Sequence, residues 1–232
     1  MLILAFDSST NDVTVAVART NEDPDDRSRE VLVEVSVPSR GASEALLPAA
    51  HAALGLAGTT LDGVGRILVG VGPGTFTGIR IAAAAARSLS LAAGIPLSKG
   101  STLAALAAPA LANAEGKDVL AVIDARRRQV FVQRFRGSGE PGEVLCAAPG
   151  ELHAEGSPLV VGDGAVRYRE ALTSRGLGHI PGDASPLHRV TASGLVLSAD
   201  LAPVPAAEVV PLYVREPDAE VRRDLNPWSA KA

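Results

Sequence analysis

The chain has one cysteine, Cys146, in 232 residues. That excludes an intramolecular disulfide and any multi-cysteine metal site. Aromatic residues make up only 3%, which argues against a base-stacking platform or a carbohydrate cleft. Lysine is nearly absent: Lys99, Lys117 and Lys231 are the only three among 22 basic residues. The formal charge is −4, so a broad electrostatic grip on nucleic acid is not expected; such a role needs a local basic patch or a basic partner. No basic region precedes the first apolar run, and Asp7 interrupts that run, so no signal peptide is expected. The longest apolar helix candidate, 79–95, carries Arg80 and Arg87 and is mostly alanine. No membrane span and a cytoplasmic location are therefore expected. His51, His153, His179 and His188 have no metal-ligand spacing.

What is present is an ordered chain, 47% apolar and 21% charged, long enough to bury roughly 70% of its unfolded surface without a staple. Residues 2–6 (LILAF) read as a buried strand. Asp7 to Asp12 is turn chemistry, and Val13, Val15 and Val17 alternate as a half-buried strand, so the two strands form a hairpin. A charged hairpin tip at 20–29 leads to a third strand over Val31–Val37. Leu47, Ala50, Leu54 and Ala57 keep helical spacing, with Pro48 marking a start near Leu47 or a kink. A strand at 67–71 leads into a glycine-rich turn at 70–78, then a helix at 77–93 stopped by Gly94. Further helices are expected at 101–114, bent near Pro109, and near 165–175 and 186–202; 210–217 is extended.

Residues 120–136 (LAVIDARRRQVFVQRFR) repeat the pattern of 3–19 (ILAFDSSTNDVTVAVAR): buried strand, Asp, polar turn, alternating strand. Asp7 and Asp124, Val13 and Val130, and Val15 and Val132 are each separated by 117 residues. A repeat of half the chain points to duplication. A duplicated strand–turn–strand headed by Asp resembles the actin-like ATPase fold. The expected class is α/β, with two actin-like (RNase H-like) lobes of mixed sheets flanked by helices, the second reduced. The expected division is 1–104, with the C-terminal segment a candidate to complete this first lobe, 105–210 and a tail at 211–232.

Five segments resemble the TsaB (YeaZ) family in order: LILAFDSST, the S-E-x-L-L-P run at 43–48, GVGPGTFTGIRIA at 70–82, VLAVIDARRRQVFV at 119–132 and PLYVREPDAE at 211–220. The family usually has His where this chain has Ala42, and often Glu and Tyr where it has Gln129 and Phe131. The resemblance implies a non-catalytic subunit in the synthesis of threonylcarbamoyladenosine beside the tRNA anticodon. It would pair with TsaD, the transferase that moves threonylcarbamoyl from its adenylate onto tRNA adenosine. A TsaE-type P-loop ATPase would join them, a homodimer would form in isolation, and tRNA would be met only indirectly. TsaD is expected to carry a histidine metal pair on a helix; this chain has none.

The residues themselves leave rival readings open. Gly70, Gly72, Gly74 and Gly78 could meet a phosphate at a helix N-terminus, in a turn that also holds Pro73 and Thr77. Yet neither the P-loop nor the dinucleotide spacing fits, so a structural turn capped by Thr77 is expected. Active actin-like kinases typically place glycine in their phosphate hairpins. Here Asp7, Ser8, Ser9 and Thr10, and then Asp124 and Arg126, hold none. A decayed nucleotide site is expected, with no cofactor, although a nucleotide at a subunit interface stays open. Asp7 and Asp124 are turn caps or water-mediated metal holders. Arg126, Arg127 and Arg128 are a solvated turn, or a contact for RNA or an acidic partner. An active kinase or ATPase, and a peptidase using Ser8 or Ser9 with His51, are the alternatives. The partner surface is placed on Leu46, Leu47, Ala50 and Leu54 of one helix and Ala82, Ala85, Ala86 and Leu89 of the next. Alanines there admit a close helix, and Leu46 and Leu47 cannot both face one core.

Overall fold

The computed structural model describes residues 1–21, 28–38 and 41–215. Most of the charged tip at 20–29 and the tail from 216 onward lie outside the described residues. Among the described residues, nine strands form two mixed sheets. In the first, β1 (Leu2–Asp7) pairs antiparallel with β2 (Asp12–Thr20) and parallel with β4 (Arg66–Gly70). With β3 (Arg29–Pro38) and β5 (Leu97–Gly100) the order is β3-β2-β1-β4-β5. The second sheet holds β6 (Val119–Arg126), β7 (Gln129–Phe135), β8 (Pro141–Ala147) and β9 (Leu159–Val161) in the order β8-β7-β6-β9. Position for position it repeats the first sheet, without a fifth strand. The expected duplicated α/β architecture is the one observed.

The repeat is not residue-perfect. Asp7 stands opposite Thr14, but Phe131, the counterpart of Thr14, stands opposite Ile123 rather than Asp124. The spacing of 117 holds for β2 and β7; β1 and β6 are offset by one residue less. A one-residue slip turns a side chain to the other face. Asp7 therefore points to the layer between the sheets, where it meets Thr102. Asp124 points to the outer side, where it meets Tyr168 and Arg167. The expected pairing of Asp7 with Asp124 is corrected to matching strands, one register apart, with a bulge between Asp124 and Arg126.

Period-2 burial builds three cores. Leu4, Phe6, Val13 and Val15 pack beneath α1 (Ala42–Leu56) and α2 (Phe76–Ala93). Ile3, Ala5, Ala121 and Ile123 face one another across α3 (Thr102–Asn113) and α6 (Ala192–Ser198). Leu120 and Val122 are covered by α4 (Asp163–Arg167) and α5 (Arg169–Ser174). Helices and sheets thus alternate, with α3 and α6 as the shared middle layer. A division at 104/105 cuts α3, which packs on both sheets. The chain after Val190 returns to the first sheet: Val204 N donates to Leu97 O (2.8 Å) and Leu212 N to Val71 O (2.8 Å).

Two helix expectations change. α1 starts at Ala42 and runs through Pro48. The carbonyl of Glu44 that loses its donor there belongs to an exposed residue, where water can serve it. The helix expected at 186–202 is a single 3₁₀ turn, Pro186–His188, followed by the short α6. Thr191 starts α6 by accepting from Gly194 N at 3.0 Å.

Candidate functional site

The first hairpin turn is closed by its own groups. Asp7 is fully buried. Its Oδ1 accepts from Ser9 N (2.7 Å) and Ser9 Oγ (2.5 Å), and its Oδ2 accepts from Thr102 Oγ1 (2.7 Å). Ser8 Oγ donates to Gly78 O at 2.9 Å. Ser8 and Ser9 thus have buried partners that are not histidine, and His51 lies exposed on α1. The peptidase constellation is not brought together. The glycine-rich turn packs directly on this hairpin. Thr75 N donates to Ser9 O at 2.6 Å. A Cβ on Gly78 would stand 1.9 Å from Ser8 O, and one on Gly74 would stand 2.3 Å from Ser9 O. Glycine is required there because backbone meets backbone. Gly72 has φ 101 and precedes Pro73 through a cis bond. The residue before α2 is Thr75, with no side-chain cap bond, and Thr77 lies exposed inside the first turn. The expected Thr77 cap is corrected: the helix begins one residue earlier, so Thr77 already has helical backbone. Thr10 is half-buried and lines a cavity described below.

The second turn is built of arginine. Arg126, Arg127 and Arg128 have φ of 64, 51 and 61, a region that side-chain-bearing residues seldom enter. Asp124 accepts from Arg126 N (3.0 Å) and from its guanidinium (3.2 Å), and pairs with Arg167 at 3.4 Å. Arg126 also reaches across to the first turn, where its Nη2 donates to Asn11 Oδ1 at 2.8 Å. Its guanidinium therefore stands between the two hairpins. Asp163 accepts from Asp124 N at 3.0 Å. Burial pushes the Asp163 carboxyl above the usual carboxylate range; the Asp124 charge adds to this, against hydrogen bonds that lower it.

Two cavities share Asp124 and Arg126. One, of about 400 Å³, lies between the turns, beside Asn11, Asp163 and Arg167. The other, of about 590 Å³, lies beside the start of α2 and the segment 212–215. The sequence reading missed three participants here: Asn11 as a bridge, Asp163 behind Asp124, and Tyr213, whose hydroxyl accepts from Arg80 Nε at 2.7 Å. Asn11 was read only as part of the first turn and Tyr213 only as part of the 211–220 segment; neither reading marked a contact.

The expected partner residues divide by burial. Leu46, Ala50 and Leu54 of α1 and Ala82 and Ala86 of α2 are buried in the core over the first sheet. Ala85 and Leu89 are half-buried against that core. Leu47, adjacent to Leu46, is 52% exposed. Helical apolar spacing marks the face turned to the chain's own sheet, so those five residues are corrected to core residues. Away from that core, α1 exposes Leu47 and His51 along one side and Leu56 on the other, and the outward face of α2 carries Ala84, Ser88 and Leu91. Among the described residues, no helix is long and apolar enough to cross a membrane.

Comparison with known proteins agrees with this fold. The family model of TsaD, tRNA N6-adenosine threonylcarbamoyltransferase, matches residues 36–154. An uncharacterized protein of Mycobacterium tuberculosis strain H37Rv is 33% identical over 220 residues, covering 94% of this chain and 93% of that one. The tRNA threonylcarbamoyladenosine biosynthesis protein TsaB of Escherichia coli is 33% identical over 136 residues, covering 59% of this chain and 55% of that protein. The solved structure of YeaZ from Pseudomonas aeruginosa superposes with a TM-score of 0.73 at 28% identity, covering 91% of this chain and 99% of that one. With the glycine-rich turn, the twin hairpins and the sheet order all accounted for, this chain belongs to the TsaB (YeaZ) family.

Proposed function

We propose that this chain serves the synthesis of threonylcarbamoyladenosine on tRNA as a non-catalytic subunit that pairs with a TsaD-type transferase. The observation that carries the reading is the Arg126 side chain between the two hairpins, bonded to Asn11 at 2.8 Å. A nucleotide-hydrolysing relative of this fold would need that space, and glycine in both turns, to bring backbone N–H groups to phosphates. Here the first turn is filled by the bonds of Asp7 and the second by arginine. Catalysis is therefore assigned to the partner. Pairing is assigned to the outward faces of α1 and α2, where Leu47 and Leu91 leave apolar surface and Ala84 and Ser88 leave little bulk. The same face would pair two copies when the transferase is absent, and a TsaE-type P-loop ATPase would join the assembled pair.

Reconstitution tests this. Purified chain, the transferase of the same organism, threonylcarbamoyl adenylate and tRNA are combined in turn. The expected result is no modified tRNA and no magnesium-dependent ATP turnover from the chain alone, with product from the transferase rising when it is added. ATP turnover by the chain alone, abolished by Asp7→Asn, would instead establish an actin-like kinase or ATPase.

A further inference from the structure

The chain holds seven aromatic residues: one Trp, two Tyr and four Phe. Three of them, Phe76, Phe131 and Tyr213, line the 590 Å³ cavity. The rings of Phe76 and Tyr213 are 5.4 Å apart, and the Arg80 guanidinium lies 3.5 Å over Phe76. Phe131 is buried and the remaining wall is largely aliphatic, including Ile79 and Leu212. Arginine supplies the charge: among the described residues Arg126, Arg127 and Arg215 line the cavity together with one acid, Asp124, which is held by Arg126 and Arg167, and Arg127 and Arg215 have partners of their own. The 400 Å³ cavity differs, since Asp12, Asp124, Asp163 and Asp183 there offset Arg126, Arg167 and Arg189. An overall average of few aromatics and net negative charge thus conceals a cavity where three aromatic rings and positive charge coincide.

The turn adds a second, independent observation. Two-residue hairpin turns with positive φ are ordinarily made with Asn and Gly. Three consecutive arginines hold that geometry here, at a conformational cost that glycine would avoid. Arg127 lines the cavity while Arg128, also exposed, lies on the same tip outside its lining. The positive charge therefore continues past the cavity, as a chain of phosphates would require and a single nucleotide would not. Flat π-faces beside guanidinium groups suit an unstacked base, and the volume lies within the range of small-ligand pockets.

We propose that this cavity takes an unpaired nucleotide of a single-stranded RNA segment, the base entering beside Tyr213 and the flanking phosphates lying along Arg127 and Arg128. This makes RNA contact direct, where the family resemblance implied it only indirectly and the arginine cluster had left it open. The test uses this chain by itself, so it fails separately from the pairing proposal. Anisotropy of a labelled single-stranded RNA decamer is measured across a salt series. Variants are Tyr213→Ala, the double change Arg127→Gln with Arg128→Gln, and Arg136→Gln as a control at the other end of β7, each checked for folding by circular dichroism. Binding should tighten as salt falls. The double arginine variant should lose ~10-fold or more and reduce the salt slope by about 1–2. Tyr213→Ala should lose ~10-fold with the slope unchanged, and Arg136→Gln should match wild type. Unchanged binding in both site variants, no binding at low salt, or equal competition by duplex RNA would overturn the proposal. Binding of AMP in the cavity that single-stranded RNA does not displace would overturn the RNA source.

Discussion

Asp7 accepts three hydrogen bonds without touching solvent, which supports a turn anchor. Asp7→Ala should cost ~1–3 kcal/mol in urea unfolding, because the Ser9 and Thr102 hydroxyls lose their acceptor; a neutral result would contradict the turn-anchor assignment. Asp163 presents the opposite case. Its folded pKa lies above its unfolded one, so the folded state holds that proton more tightly. Its contribution to stability grows as pH falls through the raised value, and the cost of the buried charge is present in full above it. Asp163→Asn keeps an oxygen for Asp124 N and removes that charge. The variant should be more stable than wild type at pH 7–8, with the difference vanishing toward pH 4 in paired melting curves. A constant difference across that range would count against the buried charge as cause. Both Asp7 and Asp124 were legible from the repeat. Their opposite directions were not, because a one-residue slip and a bulge between Asp124 and Arg126 leave no trace in the spacing of the flanking valines.

At the level of elements, the stops were easier to read than the starts. Gly94 caps α2 in the left-handed region, φ 68, with nothing near a prospective Cβ. Gly94→Ala should therefore isolate the conformational term, about 1–2 kcal/mol. Gly78→Ala should cost more, ~3 kcal/mol or above, because its Cβ would press on Ser8 O and drive α2 off the first hairpin. Thermal melts of the two variants side by side check the order; equal losses would mean that α2 does not bear on that turn. The start of α1 was misplaced because Pro48 looks like a boundary, yet Pro48 and Glu44 are both exposed, so one missing hydrogen bond is tolerated. The helix expected over 186–202 failed for a different reason. Pro186 suits a single 3₁₀ turn, and Thr191 restarts the chain as α6.

For the whole molecule, the duplication carries the architecture, and its asymmetry accompanies the proposed loss of catalysis. Both sheets keep the order of the duplicated core, but among the described residues the second has four strands where the first has five. Its turn puts arginine between the hairpins. The proposed pairing face rests on two helices that were legible in the sequence, but its residues were not: helical periodicity locates a core side, and only the packed structure reveals that Leu46 is inside and Leu47 outside. That contrast supplies the direct test. Leu47→Glu with Ala84→Arg changes two exposed residues and should leave folding within ~0.5 kcal/mol of wild type, whereas Leu46→Glu buries a charge and should unfold the first lobe. Calorimetric titration of the folded double variant into the TsaD-type transferase of the same organism should give an affinity at least ~100-fold weaker than wild type, about 2.7 kcal/mol. A folded double variant that binds the transferase as tightly as wild type would contradict pairing through this face.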